Sequence, residues 1–276
     1  MLLGEPELSL RVRSFDLVLY SRREERERWG RGHLPYDTVV VEDDKGFITW
    51  SALRWLAQER ATVVLLDFDG QPISTMVPRA APAVAARRLA QYRTFLDPVR
   101  RFSAAKRVVE AKLNSSLPPD QRKVVPPHLR SINDLLTFEA REASVYWAER
   151  GITRDYPSAR DGVNARLNFA FALLESRVRS VVYKLGLDPA VGFLHESTDG
   201  KSALVYDLME PWRHLATDVA LETGPRIGRR GFYQTFSHGW RLKERSKRIL
   251  VEEFGRRWVR ADEEEVAAFA LSLLGG

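Results

Sequence analysis

The period of the hydrophobic pattern changes near Pro82, and that change commits the two parts of the chain to different secondary structure. Up to Val77 the apolar residues come in short alternating or continuous runs: Leu8-Ser9-Leu10-Arg11-Val12-Arg13, Leu17-Val18-Leu19-Tyr20, Thr38-Val39-Val40-Val41, Thr62 to Asp67, and Ile73 to Val77. Such runs predict strands. One helix interrupts them over Trp50 to Glu59, where Leu53, Trp55 and Leu56 share a side, and Asp69-Gly70 supplies a turn before Ile73. Beyond Pro82 the apolar residues recur every three or four positions, over Ala85–Tyr92, Val99–Leu113, Ile132–Trp147, Val163–Leu185, Pro211–Leu221 and Lys243–Phe254. The fold class expected is α+β: a small β-rich domain over 1–78, a linker over 79–84, and a larger helical domain over 85–276. Ser115 to Pro127, with its Ser-Ser and Pro-Pro pairs, reads as an exposed loop.

Composition narrows the chemistry. At 276 residues with 44% hydrophobic content the chain can bury a full core. It has no cysteine, which removes thiolate nucleophiles and Cys-ligated zinc, so any metal must be held by histidine, carboxylates and water. No run approaches the ~18 apolar residues of a membrane helix, and the N-terminus lacks a basic region followed by an apolar core. A soluble cytoplasmic protein with no membrane partner is expected.

The net charge of +6 is concentrated. Eleven Lys/Arg face three acidic residues between Arg226 and Arg260, a local excess of +8 that leaves the rest slightly acidic. A second basic run extends from Arg79 to Lys112. Both suit a phosphate backbone. The candidate DNA contacts are Arg87 and Arg88 in the second run, Arg229, Arg230, Arg241, Lys243, Arg245 and Arg248 in the first, and Arg166 and Lys201 between them.

Three positions carry possible chemistry. On the helix Ile132–Trp147, Glu139 shares a stripe with Ile132, Leu135, Leu136, Ala143 and Tyr146, where an apolar residue is expected. A buried carboxylate needs a partner, either an arginine such as Arg166 or a metal ion; Glu142 reads as a solvated neighbour. His195 emerges from the apolar run Val191–Leu194, and the turn that follows returns the chain to Asp207-Leu208-Met209-Glu210-Pro211. Asp207 and Glu210 match a helix cap with proline in the first turn, and Glu210 is equally placed to point at a metal. Two carboxylates and an imidazole with open positions make a divalent-metal site.

Taken in order, Ile48-Thr49-Trp50-Ser51-Ala52-Leu53, Val64-Leu65-Leu66-Asp67, Asn164-Ala165-Arg166-Leu167-Asn168, Gly186-Leu187-Asp188-Pro189, Gly192-Phe193-Leu194-His195 and Tyr206-Asp207-Leu208-Met209-Glu210-Pro211-Trp212-Arg213 resemble the CRISPR-associated endonuclease and integrase of spacer acquisition, the Cas-one family. The resemblance covers essentially the whole chain. It implies a β-sandwich-like N-terminal domain that dimerises and an all-α catalytic domain. It further implies Mg²⁺ or Mn²⁺ held by Glu139, His195 and Glu210, with Asp207 beside them as an alternative ligand or catalytic carboxylate. Lys201 resembles a basic residue of the family's active site. Around the first glutamate the family pattern is Glu-Gly-x-Ala-Ala, where this chain has Glu139-Ala140-Arg141-Glu142-Ala143.

The activity implied is attack by the 3′-hydroxyl of a short foreign DNA fragment on a phosphodiester of the CRISPR leader-repeat, with water as the nucleophile in the nuclease reaction. The implied partners are DNA, a second copy of the chain and the small Cas-two protein. Two other readings are a catalytically inactive DNA-binding scaffold, which the Glu139, His195 and Glu210 set opposes, and a mobile-element integrase. The latter commonly carries a C-terminal helix-turn-helix, for which the stretch Asp262–Gly276 is too short.

Overall fold

A computed structural model describes residues 2–3, 8–36, 38–41, 46–66, 72–76, 84–115, 122–198, 200–235 and 239–275. Eight strands and one helix precede Val84: β1 (Leu2–Leu3), β2 (Leu8–Arg13), β3 (Asp16–Ser21), β4 (Glu24–Trp29), β5 (Thr38–Val41), β6 (Phe47–Ile48), α1 (Trp50–Gln58), β7 (Thr62–Leu66) and β8 (Pro72–Met76). They form two four-stranded sheets, in the orders β1-β5-β7-β8 and β4-β3-β2-β6. Leu8, Leu10, Leu17, Leu19 and Trp29 of one sheet meet Val39 and Val63 of the other, with Trp55 and Leu56 of α1 in the same core. The sandwich-like arrangement follows. Trp55 is buried because its indole N–H is satisfied, donating to the Phe15 carbonyl at 2.9 Å.

The strand β4 is the longest of the three before Val84 that the hydrophobic pattern hides, the others being the two-residue β1 and β6. Its sequence Glu-Glu-Arg-Glu-Arg-Trp buries only Trp29, and it lies on the edge of its sheet, where charged side chains discourage further pairing. By contrast the continuous runs of β5 and β7 mark strands covered on both faces. Val39 and Val63 enter the core just described, while Val40, Val64 and Leu66 form a separate buried cluster on the other face. Thr62 shares that second face, and its hydroxyl lies 2.7 Å from that of Ser180 in the helical domain, both fully buried. Ser180→Ala would strand the Thr62 hydroxyl, and a loss of about 1–3 kcal/mol in urea unfolding is expected, with no measurable change meaning that the pair does not tie the sheet to the helix.

Ten elements build most of the remainder: α2 (Val84–Leu96), α3 (Pro98–Asn114), α4 (Ile132–Glu149), α5 (Gly162–Leu185), α6 (Ala203–Met209), α7 (Arg213–Glu222), the short α8 (Gly224–Ile227), the hairpin β9 (Phe232–Thr235) and β10 (Gly239–Leu242), and α9 (Glu244–Arg257); α10 (Arg260–Leu274) follows. The helix α5 is apolar on nearly every side because it is the centre, packed by α6, α7, α9, α10 and β10. The hairpin is an addition to the helix-only expectation for this domain. The stretch after Trp258 is a single helix, with Val266, Ala270 and Leu273 buried in the main core.

Residues 77–83, which hold most of the expected linker, and the Asp69-Gly70 turn lie outside the described residues. So does 116–121 of the expected exposed loop; within its described part, Val125 is buried. Among the described residues no helix is long and apolar enough to cross a membrane.

Candidate functional site

The site is assembled by a loop pinned between α2, α3 and α6. Gly186 ends α5 in the left-handed region at φ 74°, where a side chain would also collide with Val84. The loop that follows lacks regular hydrogen bonds of its own, and buried side chains supply them. Gln91, fully buried on α2, donates to the Asp188 and Val191 carbonyls at 2.8 and 2.7 Å and accepts from the Asp188 N–H at 2.8 Å. Arg101 donates to the Phe193 carbonyl at 3.1 Å. At Gly192 a Cβ would lie 2.7 Å from the backbone carbon of Ala203, so glycine alone lets the loop press against α6.

Asp207 then fixes the histidine. Its carboxylate is wholly buried and accepts from the backbone N–H groups of Phe193, Leu194 and His195 at 2.5, 3.0 and 2.9 Å, and its Oδ1 lies 2.7 Å from His195 Nδ1. The helix-cap expectation for Asp207 is thereby overturned. Asp207 lies inside α6, and the chain continues through a 3₁₀ turn at Glu210–Trp212 directly into α7, so no helix begins where a cap was expected. With Nδ1 committed to Asp207, the other ring nitrogen, Nε2, faces Glu210 Oε1 at 4.0 Å. Burial pulls the imidazole toward neutrality, but the Asp207 hydrogen bond and charge, helped by Glu210, raise its pKa overall.

Glu210 is almost fully buried among cations. Arg213, one helical turn on, donates to its Oε1 at 2.7 Å, and the Lys112 ammonium lies 2.6 Å from its Oε2. Burial alone would raise this carboxyl, yet Arg213, Lys112 and His195 drive it down to about 2. The Lys112 ammonium also contacts Glu139 Oε1, so one side chain from α3 bridges carboxylates from α4 and from the 3₁₀ turn. Glu139 therefore has a lysine partner where an arginine such as Arg166 was expected. Glu142 is mostly covered and bound by Lys123 at 2.8 Å, which corrects its reading as a solvated residue. Lys112, Glu139, Glu142, Tyr146, Glu210 and Arg213 line one cavity of about 450 Å³.

The structure thus gathers Glu139, His195, Asp207 and Glu210. As the side chains stand, no three His, Asp or Glu residues enclose a metal position among the described residues. The donor set nevertheless fits a divalent cation: a positive charge already bridges the two glutamates, and the histidine has its second nitrogen braced by a carboxylate, the arrangement that orients metal-ligating imidazoles.

The expected DNA contacts are distributed differently. Arg87 and Arg88 donate to the Leu185 and Gly186 carbonyls at the end of α5, at 3.4 and 3.2 Å. Arg166 donates to the Ala220 carbonyl at 2.7 Å, joining α5 to α7. Lys201, Arg229, Arg230, Lys243, Arg245 and Arg248 are exposed, and Arg241 on β10 is half-buried. Lys112 and Arg213 are the site residues that the sequence reading passed over. Arg213 carried a signal, since it stands three positions after Glu210 on a helical stretch; Lys112 is separated from both glutamates by other elements and carried none.

Two facing sheets followed by a helical domain recur in solved structures. A casposase bound to integration product superposes with a TM-score of 0.86 over 99% of this chain and 90% of its own, at 24% identity. A chain of a Cas6-RT-Cas1–Cas2 complex gives 0.76 over 99% of this chain and 34% of its own, at 16% identity. The sequence carries the relationship further. The family model described as CRISPR associated protein Cas1 matches residues 3–118 and 120–256, and the CRISPR-associated endonuclease Cas1 2 of Pyrobaculum aerophilum is 31% identical over 230 residues, 71% of this chain and 78% of the relative. The chain belongs to the Cas1 family.

Proposed function

We propose that this chain is the metal-dependent integrase and endonuclease of CRISPR adaptation, which joins short foreign DNA fragments to the CRISPR leader-repeat through attack of a 3′-hydroxyl on a phosphodiester. The observation that carries the reading is the buried Asp207 brace, which turns His195 Nε2 toward Glu210 while Glu210 and Glu139 share one cation. Glu139, His195 Nε2 and Glu210 would hold Mg²⁺ or Mn²⁺. Bound there, the ion would polarise the phosphodiester and stabilise charge on the attacking and leaving oxygens. Asp207 keeps the imidazole oriented, Arg213 keeps Glu210 ionised and adds positive charge at the cavity edge, and the exposed Arg229, Arg230, Lys243 and Arg245 track the DNA backbone. Mn²⁺ suits a donor set with one nitrogen, and Mg²⁺ is also accommodated.

The protein acts as a homodimer and with the small Cas2 partner; for the latter, support comes from a Cas6-RT-Cas1–Cas2 complex, one chain of which contains this fold. The test is strand transfer of a short duplex into a supercoiled plasmid carrying a leader and repeat. Activity is expected with Mn²⁺, lost on chelation and restored by adding the ion back. Activity undiminished in chelator would refute the metal reading, and an inactive wild type that still binds DNA with Cas2 present would make the chain a scaffold.

A further inference from the structure

The Lys112 bridge has a function of its own. Two carboxylates on one cavity wall repel, and in a protein without a bound metal that repulsion must be met by something. Here the ammonium of Lys112 meets it, in contact with Glu139 Oε1 and 2.6 Å from Glu210 Oε2, with its own side chain only 19% exposed. Arg213 touches only the other Glu210 oxygen, Oε1, at 2.7 Å and reaches Glu139 through its charge alone, so the ammonium is the group in contact with both carboxylates. A cation that uses both glutamates must therefore occupy the space the ammonium holds.

We propose that Lys112 is an internal counter-cation that holds the metal site in its resting arrangement and is displaced when a divalent ion binds, so that it sets the concentration of ion at which the site fills. The inference rests on the metal site proposed above. It follows from charge: the ammonium brings one positive charge to the point that both glutamates touch and a divalent ion brings two, so exchange favours the ion only above a threshold that the lysine raises. The displaced side chain, on a flexible four-carbon stem, has room to swing aside within the same cavity. Lys112 is thus a positioning residue, and its effect is read in metal binding without DNA.

The experiment titrates Mn²⁺ into the full chain, followed by the spectroscopic signal of the free ion, in wild type, Lys112→Met, Lys112→Gln and Glu210→Gln. Removing the lysine charge is expected to lower the dissociation constant by about tenfold or more. It should also lower the melting temperature of the metal-free protein, with Mn²⁺ restoring it. The glutamine variant serves if the methionine variant does not fold. Binding in the Lys112 variants that is equal to or weaker than wild type overturns the counter-cation role. Binding in Glu210→Gln that matches wild type instead refutes the metal site itself, which separates the two failures.

Discussion

Glu210→Gln is expected to reduce strand transfer on the order of a hundredfold or more while leaving DNA binding intact, as measured by plasmid integration and by gel shift on the same preparation. Glutamine fills the same volume and keeps one oxygen that accepts from Arg213, so the packing around the 3₁₀ turn survives. The charge does not. Three cationic groups, Arg213, Lys112 and the His195 imidazole, converge on this carboxylate and hold it ionised even though burial works against that. Its loss removes a proposed metal ligand and leaves the positive groups to repel an incoming ion. Glu210→Ala is a harsher test, because it also empties a buried position and leaves Lys112 and the half-exposed Arg213 without their shared carboxylate. Wild-type strand transfer by the glutamine variant in Mn²⁺ would remove Glu210 from the metal site.

The same residues show where sequence suffices and where it fails. A carboxylate on the apolar stripe of α4 can be picked out from spacing alone, and so can a histidine closing an apolar run. Spacing does not choose the partner. Glu139 pairs with Lys112 because α3 lies against α4, a tertiary fact, and in the sequence Lys112 is just the end of a basic run. Asp207 shows a subtler failure. Asp-Leu-Met-Glu-Pro satisfies the local grammar of a helix start, yet α6 is already under way and leads through Glu210–Trp212 into α7. The aspartate's burial is what settles its role, since three backbone donors and a ring nitrogen are all turned toward it.

Fold recognition divides along the same line. Buried elements write their periodicity into the sequence, so α5, β5 and β7 are legible. Edge elements answer to solvent: β4 carries charges because it must not recruit another strand, and its only apolar anchor is Trp29. The basic residues divide by exposure. Arg166 is half-buried and donates to a main-chain carbonyl between helices, whereas Arg87 and Arg88 reach carbonyls at the end of α5 and Arg88 stays exposed. Charge density points to a partner only where the groups remain exposed, as in the stretch around Arg229, Arg230, Lys243 and Arg245.

Asp207→Asn should damage folding severely, lowering stability by roughly 3–5 kcal/mol in urea unfolding. Both carboxylate oxygens are engaged: Oδ2 accepts from Phe193 and Leu194, Oδ1 from the His195 backbone and ring. An amide has one acceptor oxygen, so its NH₂ group must face donors on one side whichever way it turns, in a position with no water to compensate. The loop that Gln91 and Arg101 hold from above would lose its attachment from below. His195 would also lose the acceptor that fixes its ring, so Mn²⁺ binding should weaken by about ten- to a hundredfold in whatever fraction stays folded. This pairing of defects separates Asp207 from Glu210: the glutamine variant at 210 is expected to lose activity with most of its stability kept, the asparagine variant at 207 to lose both together. A change in unfolding free energy under about 1 kcal/mol would mean that the loop is held by its α2 and α3 contacts alone.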